Sequence, residues 1–363
     1  MGDINSTNHT PSMGPLEGIR ILDLSAVVSG PMAAVILADQ GADVIKIEPV
    51  GWGDGVRRLG ASRNGLSAIY AMINRNKRSV AINIKHPEGQ NLIRQLAKSS
   101  DVLLQNYRPG KMKQLGLGFA ELSQINPELI YTSISGMGDK GPYANQKVYD
   151  YVIQGISGIL DAQSETQKPK MIRTIIYDKV TALTIAQGIT AALLAKARGQ
   201  GGQHLQLSML DAALYFNWPD LMWNQSFEGE GIDYSGDLAD FYEINETRDG
   251  AIISHRLNGD CSAYSTKELI SLFAENDIPV SRVNSREDIL DDPQIQALGL
   301  LERSDHPRGG IMIQPRAPVL FSKTQRSNQQ PSAELGQHTL EVLTDLGLEI
   351  DELRNLAAQG VIG

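Results

Sequence analysis

From residue 18 onward the chain alternates short β-branched runs with helical stretches, and this order restricts the fold more than any other feature. "IRILDLS" (19–25), "ADVIKIE" (42–48), "SVAINIK" (79–85), "DVLLQNY" (101–107) and "ELIYTSIS" (128–135) read as strands. Helical segments stand between them, such as "GPMAAVILADQG" (30–41), where Pro31 suits a first turn, and "PEGQNLIRQLAKSS" (87–100). Parallel neighbours need a helical crossover, so this repetition implies an α/β, Rossmann-like, doubly wound parallel sheet. Sheets of this kind bind ligands beyond the carboxyl ends of their strands. The first strand–helix turn, "SAVVSGPM", lacks GxGxxG. Glu48, closing the second strand, is then only a weak dinucleotide signal, and nicotinamide binding is not expected.

A long apolar helix follows at about 178–198, then the turn "RGQGGQ", a strand "HLQLSM" and a helix opening at Leu210–Asp211. The Gly- and acid-rich stretch "NQSFEGEGIDYSGD" (224–237) reads as a linker or surface loop. The expected organisation is a disordered tail at 1–14, a large domain at 15–215, a linker at 216–237 and a small α/β domain at 238–320. A final linker and helices at 321–363 return to the large domain.

Composition removes several function classes. The net charge is −9, and no window clusters the Lys and Arg of a nucleic-acid site or polybasic membrane patch. No run approaches the ~18 apolar residues of a membrane span. One cysteine, Cys261, excludes an internal disulfide and a multi-cysteine zinc site, fits a reducing compartment, and has no activating neighbours. The six histidines form neither HxH nor HExxH, so no metal is expected. Residues 1–14 carry no apolar signal core, which points to the cytoplasm.

One residue raises a sharper question. Asp178 stands at the mouth of the long apolar helix, in "IRTIIYDKVTALTIAQGITAALLAKARGQGGQ". It fits a helix N-cap, whose carboxylate accepts hydrogen bonds from free N–H groups. It also fits a nucleophile, since the same N–H groups favour the ionised form that covalent catalysis requires. Asp150 reads as the cap of a helix over 150–160.

Seven segments resemble, in order, the class III CoA-transferases (the CaiB/BaiF family). They are "PLEGIRILDLS…GPMAAVILADQGADVIKIEPVGWGD", "NRNKRSVAINIKHPEG", "QNYRPGKMKQLGLG", "NPELIYTSISGMGDKGPY", "KVYDYVIQGISG", "ARGQGGQHLQLSMLDA" and "EDILDDPQ…GLL". The resemblance implies that Asp178 attacks an acyl-CoA thioester, giving an aspartyl mixed anhydride and then an aspartyl-CoA thioester. It implies CoA contacts at Val27, Ile82, Lys85, Asn106, Tyr107, Arg108, Lys147, Tyr149 and Met209. Acyl-CoA and a carboxylic acid would be the substrates, with no tightly bound cofactor, and two chains would interlock as a homodimer.

Racemases of this family carry a histidine base where Tyr149 stands. A tyrosine hydroxyl, with an intrinsic pKa of about 10, is a poor base for an α-proton. A racemase-like isomerase and a CoA-binding homologue with reduced or no catalysis are the alternatives. The second is motivated by the shortened stretch "DGAIISHRLNGDCSAYSTKEL". Gln114 and Pro49 also stand where relatives carry arginine, and Arg75 and Arg78 in "RNKRS" are expected to be partly structural.

Overall fold

The structure, a computed structural model, describes residues 14–164, 168–256, 259–324 and 329–363. The tail expected over 1–14 lies, apart from Gly14, outside the described residues. β1 (Arg20–Asp23) leads into α1 (Ser29–Asp39) and β2 (Asp43–Glu48). A small hairpin, β3 (Ser62–Arg63) and β4 (Leu66–Ser67), precedes α2 (Ala68–Asn74) and β5 (Lys77–Ala81). α3 (Pro87–Lys98) leads to β6 (Val102–Gln105), and α4 (Lys111–Gln114) and α5 (Phe119–Ile125) lead to β7 (Ile130–Ser135). α6 (Asp150–Ile156), α7 (Ile159–Ala162) and α8 (Ile176–Ala195) then lead to β8 (His204–Ser208).

These strands form one six-stranded parallel sheet in the order β5-β2-β1-β6-β7-β8. The order reverses between β1 and β6, which opens a crevice beyond their carboxyl ends. Both faces of the sheet are covered, so β2 is buried along nearly its whole length. One face packs Leu22, Ile45, Val80, Leu103 and Tyr131 against α3, whose Leu92, Ile93 and Leu96 repeat at helical spacing. The other packs Ile21, Val44, Val102 and Ile130 against α1 and α8.

α8, with its continuation to Gln200, is long and apolar enough to cross a membrane by length and composition, contrary to the reading of the bare sequence. Its Thr181, Ala182, Ile185, Ala186, Ile189 and Ala192 are buried, and Ala182, Ile185, Ala186, Ile189 and Ala192 join the cluster with α1, which is the setting of a core helix.

The chain divides into two compact units, one running to Leu214 and resuming at Arg303–Gly363, the other Tyr215–Glu302. The division at Leu214 lies next to the expected end of the large domain at 215, whereas the stretch expected as a linker, 216–237, and the expected end of the small domain at 320 fall elsewhere. α9 (Met209–Leu221) carries the chain into the smaller unit. The expected linker takes part in that unit: Trp223 Nε1–H donates to the Gly236 carbonyl at 3.0 Å, and Tyr234 stacks on Phe241. The smaller unit continues with β9 (Tyr242–Thr247), β10 (Gly250–His255), α10 (Thr266–Glu275), β11 (Val280–Arg282) and α11 (Pro293–Ala297). β9, β10 and β11 pair antiparallel, and Cys261 packs beneath them with Ile252, Leu269 and Phe273. Burial, with Asp260 and Glu243 nearby, pushes its thiol up.

The hairpin β12 (Leu301–His306) and β13 (Gly310–Pro315), expected in the small domain, falls mainly with the larger unit. The reason is packing: Met312 sits against Val56, Leu66, Tyr70 and Ala71, and Arg308 Nε–H donates to the Asn64 carbonyl at 2.7 Å. The chain closes with α12 (Thr339–Asp345) and α13 (Ile350–Ala358), whose Leu343 and Leu353 complete the sheet-face core. Leu343→Ala is therefore expected to lower the unfolding free energy by about 3 kcal/mol. A urea titration reads this as a lower midpoint at unchanged slope; an unchanged midpoint would mean that α12 is not part of this core.

Candidate active site

The crevice between β1 and β6 is a cavity of about 480 Å³. Val27, Asn106, Tyr107, Arg108, Lys147, Tyr149, Asp178 and Met209, all singled out from sequence, line it together. Ile82 and Lys85 line a second cavity of about 570 Å³, which shares Ile47, Glu48, Pro49 and Tyr107 with the first. Ile82 is almost wholly buried, with its side chain in the sheet-face core, whereas Lys85 is exposed. Met209 is buried too, and the Lys147 ammonium lies over the half-exposed Tyr149 ring, 5.3 Å from its centre.

The turn after β1 forms the cavity wall, and its shape is forced. Val27 has φ of 69°, a left-handed conformation that costs a β-branched residue energy. Two side chains hold it. Asn106 accepts from the Ala26 N–H at 2.9 Å and donates to the Ala26 carbonyl at 2.7 Å. Asp54 accepts from the Val27 N–H at 3.1 Å. α1 then starts so close to Ser25 that a Cβ on Gly30 would collide with the serine side chain.

Under this turn lies a buried ionic network. Lys46 and Asp54 pair at 3.0 Å, each about 1% exposed, and the Lys46 ammonium also donates to the Ser25 carbonyl at 3.0 Å. Lys77 pairs with Asp23 at 3.0 Å, and Arg57 with Glu48 at 2.7 Å. Burial opposes every one of these charges, and the partners decide the balance. Burial pushes Glu48 up, but Arg57 and then Lys46 outweigh it and hold the carboxyl at about 2. Burial and Lys46 bring Lys77 down to about 8 against the pull of Asp23. Lys46, flanked by Asp23, Asp54 and Glu48, is raised in spite of burial. Glu48 is thus an internal counter-ion, consistent with its weak standing as a ribose ligand. Arg75 and Arg78 are bound to Asp39 and Asp43.

The cap question at Asp178 has an answer in geometry. The N-cap of α8 is Ile175, and Asp178 is the third residue of the helix. The capping carboxylate is that of Asp150, which accepts from the Tyr177 N–H at 2.6 Å and the Asp178 N–H at 2.9 Å. Asp150 was expected to cap its own helix; it instead opens α6 as its first residue and caps α8 across the fold. The side chain of Asp178 is therefore not spent on its own helix. It lines the cavity together with Ser29, the first residue of α1. Burial, then the charge of Asp150, pushes its carboxyl up to about 6, with the polar groups of Ser29 opposing. A carboxylate with such a pKa remains ionised at neutral pH and is more basic, hence more nucleophilic, than an ordinary aspartate.

Ser29, Asp54, Lys46 and the capping role of Asp150 were not found from sequence. The signal available was the charges Lys46 and Glu48 in "DVIKIE", inside a strand that must be buried on both faces.

The sequence profile of CoA-transferase family III matches residues 16–260 and 237–339. The chain belongs to this family. Succinate–glutarate CoA-transferase of Agrobacterium fabrum is 30% identical over 92% of this chain and 96% of its own. Succinyl-CoA:glutarate CoA-transferase of Mus musculus is 32% identical over 97% of this chain and 91% of its own. A crystal structure of a CAIB/BAIF family protein from Brucella suis superposes with a TM-score of 0.80 at 27% identity, covering 92% of this chain and 99% of that one. The chain is a family III CoA-transferase with the expected α/β fold.

The raised carboxyl of Asp178 has a stability consequence. Its proton is bound more tightly in the folded chain, at about 6, than at the ordinary aspartate value of 3.8. Stability held by the protonated form is accordingly lost as pH rises from about 4 to about 6. Asp178→Asn is expected to raise the unfolding free energy at pH 8 by on the order of 2 kcal/mol, with no gain at pH 4. Urea midpoints of the two proteins at both pH values check this, and an equal gain at both would contradict it.

Proposed function

We propose that the enzyme moves CoA between two carboxylic acids through covalent intermediates on Asp178. The observation that carries this reading is a carboxylate facing the cavity beside Ser29 and released from capping by Asp150. The Asp178 carboxylate attacks the thioester carbonyl of the donor acyl-CoA; the C–S bond breaks, leaving a mixed anhydride and CoA thiolate. The thiolate then attacks the aspartyl carbonyl, releasing the donor acid and forming an aspartyl-CoA thioester. The acceptor carboxylate attacks that same carbonyl and expels the thiolate. Attack of the thiolate on the new acyl carbon yields the product thioester and regenerates Asp178.

Each step exchanges one acyl bond for another of similar energy, so no external energy source is required. The positive end of α1, beside Ser29, favours the ionised nucleophile. Succinate and glutarate are the first acids to try, because two of the relatives are named for them. The interlocked homodimer and a cytoplasmic location are part of the same proposal. Exposed apolar side chains on α6 and α8, among them Val152, Ile156, Leu183 and Leu194, suit burial between two chains.

Incubation with succinyl-CoA followed by a hydroxylamine quench is expected to leave a hydroxamate on the Asp178 peptide, absent in Asp178→Ala. Adduct formation should rise with pH to a plateau above about 6, the value to which the carboxyl is raised. In Asp150→Asn, which keeps an acceptor for the helix cap but removes the neighbouring charge, the midpoint should move down. Mass spectrometry of the peptide across pH reads both effects. Exchange of α-hydrogen into deuterated water without an adduct would instead establish isomerase chemistry. Bound CoA with neither outcome would mark a silent homologue.

A further inference from the structure

A chain of side-chain hydrogen bonds crosses three strands of the sheet, and the acyl-transfer steps leave it without a role. Gln105 on β6 lies directly opposite Ser133 on β7, and His204 on β8 lies diagonal to Ser133. All three side chains therefore share the face of the sheet that carries Leu103 and Tyr131. The Gln105 amide donates to Oγ of Ser133 at 2.9 Å, and that Oγ lies 2.9 Å from Nε2 of His204. At its other end the chain reaches the backbone, where the Tyr107 N–H donates to Oε1 of Gln105 at 2.8 Å. The three residues line a third cavity of about 270 Å³, which shares Tyr107, Arg108 and Pro109 with the one that holds Asp178.

These contacts fix the direction of each proton. A backbone N–H only donates, so Gln105 turns its oxygen to Tyr107 and its NH₂ to Ser133. Ser133 accepts that bond, and its own proton then has the Nε2 lone pair of His204 as acceptor among the described residues. The network assigns the ring proton to Nδ1. Burial lowers the pKa of the imidazole against the pull of Asp139, which keeps the ring neutral at neutral pH. Packing holds the ring in place: it stacks on Phe119 with centres 4.9 Å apart and meets Tyr131 edge-on at 5.3 Å. The two residues after Gln105 belong to the site, since Asn106 clamps Ala26 in the turn after β1 and Tyr107 lines the cavity.

We propose that His204 is a positioning residue for acyl transfer: through Ser133 and Gln105, its Nε2 lone pair sets the turn after β6, and with it the place of Asn106 and Tyr107 in the cavity wall. The inference rests on the proposed covalent mechanism and adds to it three residues that lie outside the lining of the Asp178 cavity. Without an acceptor at position 204, the Ser133 hydroxyl is free to donate to Gln105, whose amide then rotates and sets its NH₂ against the Tyr107 N–H, donor against donor. The tie on the wall is lost while the backbone ladder of the sheet remains. The wall contacts the bound substrate away from the reacting atoms, so the loss falls on acyl-CoA binding rather than on the rate of attack.

Adduct formation on Asp178 with succinyl-CoA, read by hydroxylamine quench and mass spectrometry, gives a half-saturating concentration and a plateau rate. His204→Leu keeps apolar packing and removes the acceptor. It is expected to raise the half-saturating concentration about fivefold and to leave the plateau rate within about twofold. His204→Gln gives up the ring stack but offers a side-chain oxygen in place of Nε2, and should restore most of the loss. Ser133→Ala should match His204→Leu, and the double variant should add nothing, since both cut the same chain. Circular dichroism melts of each variant separate these effects from unfolding. A wild-type half-saturating concentration in His204→Leu, equal impairment of the Leu and Gln variants, or a fall in plateau rate and melting temperature alone overturns the inference and leaves the covalent mechanism standing. Absence of any adduct on the wild type removes that mechanism, and the inference with it.

Discussion

The pairing of Lys46 with Asp54 beneath the first strand–helix turn is the contact on which the site depends. Two charges that are almost fully desolvated persist only because each has several partners. Lys46 reaches the Ser25 carbonyl, and Asp54 reaches the Val27 N–H, so the pair grips the turn from below at two points. That grip holds Val27 in a left-handed conformation that the residue does not favour on its own. The strained turn leads into Ser29, which lines the cavity with Asp178. Replacing the ionic layer with apolar residues of similar volume would fill the space, but it would leave the turn free to relax.

Two helices meet at Asp178, and they divide the work. α8 supplies the carboxylate from its first turn, while α1 places Ser29 in the same cavity lining. An aspartate near a helix start ordinarily serves that helix. Here Asp150, brought in from α6, takes the capping bonds and at the same time places a second negative charge beside Asp178. Structural support and electronic tuning thus come from one residue. The cost is electrostatic repulsion, offset by the cap bonds and by the buried Gln154, whose amide donates to Asp150 at 2.7 Å.

The smaller unit illustrates how composition misleads about boundaries. Its glycine- and acid-rich entry was expected to be a linker, yet Trp223, Tyr234 and Phe241 give that stretch its own aromatic packing. The closing hairpin has the alternation of a small-domain strand pair, but Met312 on β13 finds its apolar neighbours in the larger unit. Periodicity tells which residues are buried, and it is silent about which core buries them.

Sequence alone determined the strand order of events: five apolar runs separated by helical spacers leave little but a doubly wound sheet, because parallel neighbours require crossovers of that length. It also determined the family, through seven motifs in order, and with it the candidate nucleophile. These are local or linear properties, written in spacing and residue type. The tertiary structure alone decided what the carboxylates do. Which aspartate caps α8, and which faces the cavity, depends on contacts spanning 28 residues between Asp150 and Asp178. The ion pair spanning 54 residues between Asp23 and Lys77, and the Lys46 contact to Ser25 from the neighbouring strand, are of the same kind. A charge's pKa and role are set by the groups that surround it in space, and no sequence interval carries that information.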